Sequence, residues 1–340
     1  DVWLIASPVI VRESPFGYFG GGYAPGGSGG TYSSIRRIDY SNDTAYFQQR
    51  SSLDVVVQQL AGVASLSYGY WAGGYWPGNL TSPSANTTNV RRLDFANDTT
   101  AATPKGPLAS ITANAAGTGT KDYGYFGGGV EPGTPISTVQ RIDYTNDLAV
   151  ASPKGPLSDG RSLLGATGNL NHGYWTSGWS PGKRSTVDRL DWSSDTTAAV
   201  VKGSLTATKY GVASTGNANF GYCGGGNPGP MSHVDRIDYT SDTSTAVTKG
   251  PLAAAMRYLA ATGNSSRGYW CEGHPGPIST ICRLDYDNDT ATISRGTVGT
   301  PLAGYHTTGL SAAANALAAG LQGTASNTGY IRDLPAGPAY

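Results

Sequence analysis

The stretch Gly124-Tyr125-Phe126-Gly127-Gly128-Gly129, followed twelve residues later by Arg141-Ile142-Asp143-Tyr144, decides the fold, because both halves recur in fixed order along the chain. The first half returns at Gly17-Tyr18-Phe19, Gly69-Tyr70-Trp71, Gly173-Tyr174-Trp175, Gly221-Tyr222-Cys223 and Gly268-Tyr269-Trp270, with successive starts 52, 55, 49, 48 and 47 residues apart. The second half returns at Arg37-Ile38-Asp39-Tyr40, Arg92-Leu93-Asp94-Phe95, Arg189-Leu190-Asp191-Trp192, Arg236-Ile237-Asp238-Tyr239 and Arg283-Leu284-Asp285-Tyr286. Self-similarity at this period is the signature of a repeat architecture. Working outward within the third copy, the breakers delimit strands at 123–128, 138–144 and 149–154, and 162–167 leads into the next copy.

A Pro-Gly pair separates the two halves in every copy: Pro25-Gly26, Pro77-Gly78, Pro132-Gly133, Pro181-Gly182, Pro228-Gly229 and Pro275-Gly276. Proline presets the first central position of a type II turn, and glycine supplies the positive φ of the second. Four short strands per unit, six units long, point to an all-β, six-bladed β-propeller with four-stranded blades. The pattern Ala166-Thr167-Gly168-Asn169 recurs at 214–217 and 261–264, and weakly at 310–315 after the last full unit. Residues 305–314 are therefore expected to close the ring in the first blade, beside Gly17–Gly22. This divides the chain into an N-terminal arm at 1–16, the propeller at 17–315 and a C-terminal arm at 316–340.

The order of a Tyr-aromatic strand with a Gly pair, a strand ending in Asp-Tyr, and a link such as Lys154-Gly155-Pro156-Leu157 before Arg161 resembles the kelch repeat. One departure is that kelch repeats usually carry a Trp in the fourth strand, where this chain has Thr, Ala or Val at 197–201. The wording of the repeats is also similar to kelch-type arrays in virion proteins of marine bacteriophages. That resemblance implies a structural or attachment role on a virion or cell exterior, with other virion or surface proteins as partners through the arms.

Composition agrees with short strands and bounds the partners. The 340 residues include 49 Gly and 20 Pro, about a fifth of the chain, and 21 Tyr with 7 Trp supply large rings for the core. Lys plus Arg and Asp plus Glu are 23 each, so a polyanion-binding surface is not expected and nucleic acid is excluded as a partner. No apolar run approaches the length of a membrane-spanning helix, and membrane insertion is not expected. The chain begins at Asp1, which reads as processing or as a piece of something longer.

Several repeated residues invite both architectural and chemical readings. Arg and Asp of the second motif stand two apart on a strand and share a blade face, so the pairs Arg37/Asp39, Arg92/Asp94, Arg141/Asp143, Arg189/Asp191, Arg236/Asp238 and Arg283/Asp285 are expected to fix blade against blade. Asp39 with Asp43, or Asp285 with Asp289, could offer oxygens to Ca2+, although the full spacing of a calcium loop is missing; no other cofactor is expected. Cys271 and Cys282 flank the last Pro-Gly turn on adjacent strands and form a candidate disulfide, which would suit an extracellular setting. Cys223 stands where Phe126 does, a core position, and the four histidines show no metal-ligand spacing.

No acid, base, nucleophile or metal constellation emerges, so a noncatalytic reading is favoured over a copper-dependent oxidase of kelch-like fold. The loop between the second and third strands varies most between copies, and a constant framework with variable loops is the arrangement of a binding module. Tyr23, Tyr75, Trp76 and Trp179 are candidates to stack on sugar rings, with Asn79, Glu131, Asn227 and His274 as polar partners in the same loops. A secreted carbohydrate-binding lectin is accordingly the alternative function.

Overall fold

A computed structural model describes residues 14–24, 30–78, 85–275, 278–298 and 308–311. It is a six-bladed β-propeller: six four-stranded antiparallel sheets, with inner strands facing a central channel. In the third blade the strands run Ala116–Gly119, Tyr123–Gly127, Val139–Asp143 and Ser152–Lys154, from the channel outward. The expected strand at 162–167 is found later, at Gly165–Gly168, because Arg161–Leu164 belongs to a link in which Leu163 takes a φ of 56°. Ring closure is as the sequence implied: Thr308–Ser311 pairs with Phe16–Gly20, placing Gly17 opposite Ser311 and Gly20 opposite Thr308. The first blade is thereby built from both ends of the ring. Of the expected arms, residues 1–13 and all of 316–340 lie outside the described residues.

One face of the ring carries the turns between third and fourth strands, and here every seam is built alike. The motif tyrosine and the motif arginine of one blade both donate to an aspartate in the next blade. Tyr125 and Arg141 reach Asp195 Oδ2 at 2.8 and 2.7 Å. The same trio recurs as Tyr18 and Arg37 on Asp98, Tyr70 and Arg92 on Asp147, Tyr174 and Arg189 on Asp242, and Tyr222 and Arg236 on Asp289. Tyr269 and Arg283 on Asp43 complete it across the closure. A second cation from the fourth strand, Arg50, Lys105, Lys154, Lys202, Lys249 or Arg295, sits on the other carboxylate oxygen.

The expected Arg-to-Asp contacts between blades therefore exist, but with a different aspartate. The acceptor lies four residues beyond the motif Asp, whose own task is local. Asp39, Asp94, Asp143, Asp191 and Asp238 each accept the backbone N–H two residues on and cap the turn. Asp285 instead accepts from Arg283 and Arg267. The reason is reach: a side chain two residues along the same strand stays in its own blade, whereas the turn projects into the neighbour. The two aspartates considered for calcium thus have separate partners, Asp43 holding cations and Asp39 holding its turn.

Aromatic rings continue the seams inward. Tyr70 stacks on Tyr144, Tyr174 on Tyr239, Tyr222 on Tyr286 and Tyr269 on Tyr40, with centroids 4.8–5.2 Å apart. On the other side of the second strand the blades alternate in two kinds. Gly20, Gly127 and Gly224 end that strand in blades 1, 3 and 5, and a Cβ there would lie 2.5–2.7 Å from the indole of Trp71, Trp175 or Trp270 in the following blade. Blades 2, 4 and 6 end it with Ala72, Thr176 and Cys271 instead, packed against the smaller Phe126, Cys223 and Phe19.

The candidate disulfide is excluded by pleat geometry. Cys282 lies opposite Trp270, and Cys271 opposite Ala260, so the two thiols point to opposite faces of the blade and are buried in different clusters. Burial pushes both thiols up from their ordinary pKa.

Candidate binding face

The opposite face of the ring is formed by the second-to-third-strand loops and by the links that carry the chain from one blade to the next. The first five loops leave their strand through two residues of positive φ, at Gly73-Gly74, Gly128-Gly129 and Gly225-Gly226 among others, and the sixth through one, Glu272. The turn glycines Gly78, Gly133, Gly182 and Gly229 also have positive φ, as the Pro-Gly pairs implied. The residue following the first two then pairs with a residue of the incoming link. Five such bridges are equivalent: Gln58 with Tyr75, Ala113 with Val130, Ser162 with Trp179, Tyr210 with Asn227, and Arg257 with His274. The backbone is nearly constant at these five places; the side chains differ at every one.

The next link residue forms the rim of the channel. Gln59, Asn114, Leu163, Gly211 and Tyr258 all have positive φ, between 55° and 65°. Four backbone hydrogen bonds link them in succession: Asn114 N to Gln59 O, Leu163 N to Asn114 O, Gly211 N to Leu163 O and Tyr258 N to Gly211 O, at 2.7–2.9 Å. Below the rim the channel is lined by Gly62, Ala116, Gly117, Ala166, Ser214, Ala261 and Gly309 among its small residues.

Under the loops lies a second set of buried polar groups that differs at every seam. The residue before the motif arginine is Arg36, Arg91, Gln140, Asp188, Asp235 or Cys282, all buried. Arg161 of the third link lies 2.8 Å from Asp188, and Lys209 of the fourth lies 2.9 Å from Asp235. Arg91 pairs with Asp54, and Gln140 accepts from Ser110 N at 2.9 Å. At the closure Arg36 donates to Glu272 at 2.9 Å. Glu272 occupies a position of positive φ where other blades carry Gly or Ser. Sequence reading missed this layer. Its signal was a position that changes charge from copy to copy while its neighbours stay fixed.

The expected ligand residues divide into two groups on this face. Tyr75 and Trp76 form a two-residue hairpin strand with Ala85–Asn86, and Val130–Glu131 forms another with Thr134–Pro135. Tyr23 begins the equivalent hairpin in the first blade. Asn79 lies outside the described residues. The structure assembles the remaining three, Trp179, Asn227 and His274, with link residues that sequence reading did not single out. Trp179, 41% exposed, meets Tyr210 edge-to-face at 5.1 Å, and Tyr210 lies 6.4 Å from Tyr258. Asn227 Nδ2 donates to the Tyr258 hydroxyl at 3.2 Å. Arg257 donates from Nη1 to Asn227 Oδ1 at 2.8 Å and from Nε to His274 Nδ1 at 3.1 Å.

Three ordinary loop residues and three link residues thus make one aromatic and polar belt over blades 4, 5 and 6. Desolvation, reinforced by the Arg257 charge, lowers the pKa of His274 and keeps Nδ1 available as an acceptor. Burial, with Tyr210 beside it, raises the Tyr258 hydroxyl. The bridging position is the third after the strand, so Asn227 and His274 align with Tyr75 and Trp179, and not with Trp76 and Glu131. Loops 5 and 6 are one residue shorter before their prolines. Among the described residues, no three His, Cys, Asp or Glu side chains come together as a metal site, and no helix is long and apolar enough to cross a membrane.

No protein-family model and no curated protein sequence matches the chain. Its fold is nevertheless shared: 453 chains of solved structures match it. One of them, described as "Structure of YjhT", superposes with a TM-score of 0.61 over 84% of this chain and 99% of that one, at 11% identity. At that identity the likeness shows the fold alone.

Proposed function

We propose that the chain is a noncatalytic, kelch-like propeller displayed on a virion or cell exterior, a structural or attachment module that binds through its loop face. The observation that supports this most is the contrast between faces. Six seams on the turn face repeat one Tyr-Arg-Asp network, whereas no two of the five loop-face bridges carry the same side chains. Repeated residues serve architecture, and unrepeated ones on a rigid frame serve recognition. The kelch-like reading rests on the order of the Gly-Tyr-aromatic and Arg-x-Asp-aromatic strands. Both ends of the ring, Gly17 and Ser311, pair at the turn-face edge of the first blade, so an attachment made near either end leaves the loop face outward.

The second reading, a carbohydrate-binding lectin, is favoured by the Trp179, Tyr210 and Tyr258 series, since exposed aromatic faces suit pyranose rings. The test combines light scattering of the intact chain with a glycan array. Stable assembly without glycan binding is the expected result for a building block. A monomer that binds glycans would replace it with the lectin.

A further inference from the structure

Arginine on this protein is almost always neutralised. Among the described residues, thirteen of the fourteen arginines have a carboxylate within 4.0 Å. Arg257 is the exception. Its guanidinium is half-buried and fixed by two neutral acceptors from different loops, Asn227 Oδ1 and His274 Nδ1. Those two bonds use Nη1 and Nε and leave Nη2 without a partner among the described residues. A cation whose position is set by uncharged groups keeps its charge for something that arrives from outside.

From these observations we infer that the belt over blades 4 to 6 is a binding site for an acidic oligosaccharide, with a sugar carboxylate on Arg257 and a neighbouring ring on Trp179. This rests on the loop face being the binding surface and specifies its ligand class. The carboxylate is favoured because Nη2 keeps both of its N–H donors, and a guanidinium N–H bonds a carboxylate oxygen more strongly than a neutral one. The sugar is favoured because an open indole, at 41% exposure and braced edge-on by Tyr210, offers a flat apolar face. The half-buried Tyr258 hydroxyl stands between these two ends and can turn to meet a ring hydroxyl, while the buried Asn227 holds Tyr258 and Arg257 in place. The spread from Trp179 through Tyr210 and Tyr258 to Arg257 suits two or three sugar units more than one.

The test is calorimetric titration of the intact chain with an oligogalacturonate trimer and with the same trimer after its carboxyl groups are reduced to alcohols. The wild type is expected to favour the charged trimer by about 10- to 100-fold. Arg257→Gln is expected to abolish that preference while keeping the affinity for the reduced trimer. Trp179→Ala is expected to weaken both ligands alike. Circular dichroism melts of the two variants confirm that the ring is folded in each. Equal affinity for both trimers, or a preference that survives Arg257→Gln, would overturn the inference and leave the loop face as a binding surface for neutral sugars. Binding of both trimers unaffected by Trp179→Ala and Arg257→Gln would overturn the inference and the glycan-binding role of this belt together.

Discussion

The turn face and the loop face of this propeller are made by the same six repeats, yet one is uniform and the other is not. At the turn face each aspartate gathers a tyrosine, an arginine and a second cation from the blade before it. Beneath the loops, the seams hold Arg with Glu, Arg with Asp, Gln with a backbone N–H, and Asp with Arg or Lys. The difference teaches where a repeat protein can vary. Any blade can follow any other at the turn face, so the order of blades is written in the buried layer under the loops. Buried polar groups of this kind specify which partner fits at some cost in stability.

Acid is the broadest way to break the uniform face, because it acts on four seams together. Burial alone would raise the carboxyls of Asp98, Asp195, Asp242 and Asp289, but the Arg, Lys and Tyr donors outweigh it and hold all four below their ordinary range. Groups with depressed folded values stabilise the fold above the unfolded value, roughly pH 4, and lose that stabilisation as pH falls through the folded one. The urea midpoint should therefore be level from about pH 7 to about pH 5 and fall steeply below about pH 4. A midpoint that is level down to pH 3 breaks the assignment.

A single substitution under the loops comes next. Arg161→Met leaves Asp188 charged and buried, and is expected to cost about 3–5 kcal/mol in urea unfolding. Adding Asp188→Leu to that variant should recover most of the loss, since an apolar pair of similar volume replaces the ion pair. No recovery would mean that the seam depends on something other than the pair.

Smaller, and sharper as a comparison, is the set Asp98→Ala, Asp195→Ala and Asp242→Ala. Each removes one acceptor from three donors at a partly solvated edge, for about 2–3 kcal/mol. The three costs should agree within about 1 kcal/mol, because the seams are copies. Urea unfolding of the three side by side checks this, and a spread as wide as that between loop-side seams would erase the contrast of faces.

The fold was legible because it is written six times. One Gly-Tyr-aromatic strand such as Gly124–Phe126 is a weak signal; its recurrence with Arg141–Tyr144 at a steady spacing fixes strand number, blade number and closure. The same repetition concealed the partners. Arg141 and Asp143 are close in sequence, and nothing local says that Arg141 crosses to Asp195, 54 positions on. Cys271 and Cys282 look joinable across a turn, and only the pairing register sets them on opposite sides of the sheet. For the candidate site, variation between copies pointed to Trp179, Asn227 and His274. It gave no reason to choose Tyr210, Arg257 and Tyr258, since the links look like connectors until the loops bridge onto them.

The alternation of strand ends carries a rule of parity. With glycine facing an indole at every other seam, the ring consists of three two-blade modules of about 100 residues each, and as far as these strand ends go the module, not the blade, is the interchangeable part. Excising blades 3 and 4 would join blade 2, ending in Ala72, to blade 5, bearing Cys223, a junction of a kind the ring already contains. Excising blade 3 alone would drive the Trp175 indole against Ala72 of blade 2, where the glycine that admits it is missing. Such an array lengthens or shortens by even numbers.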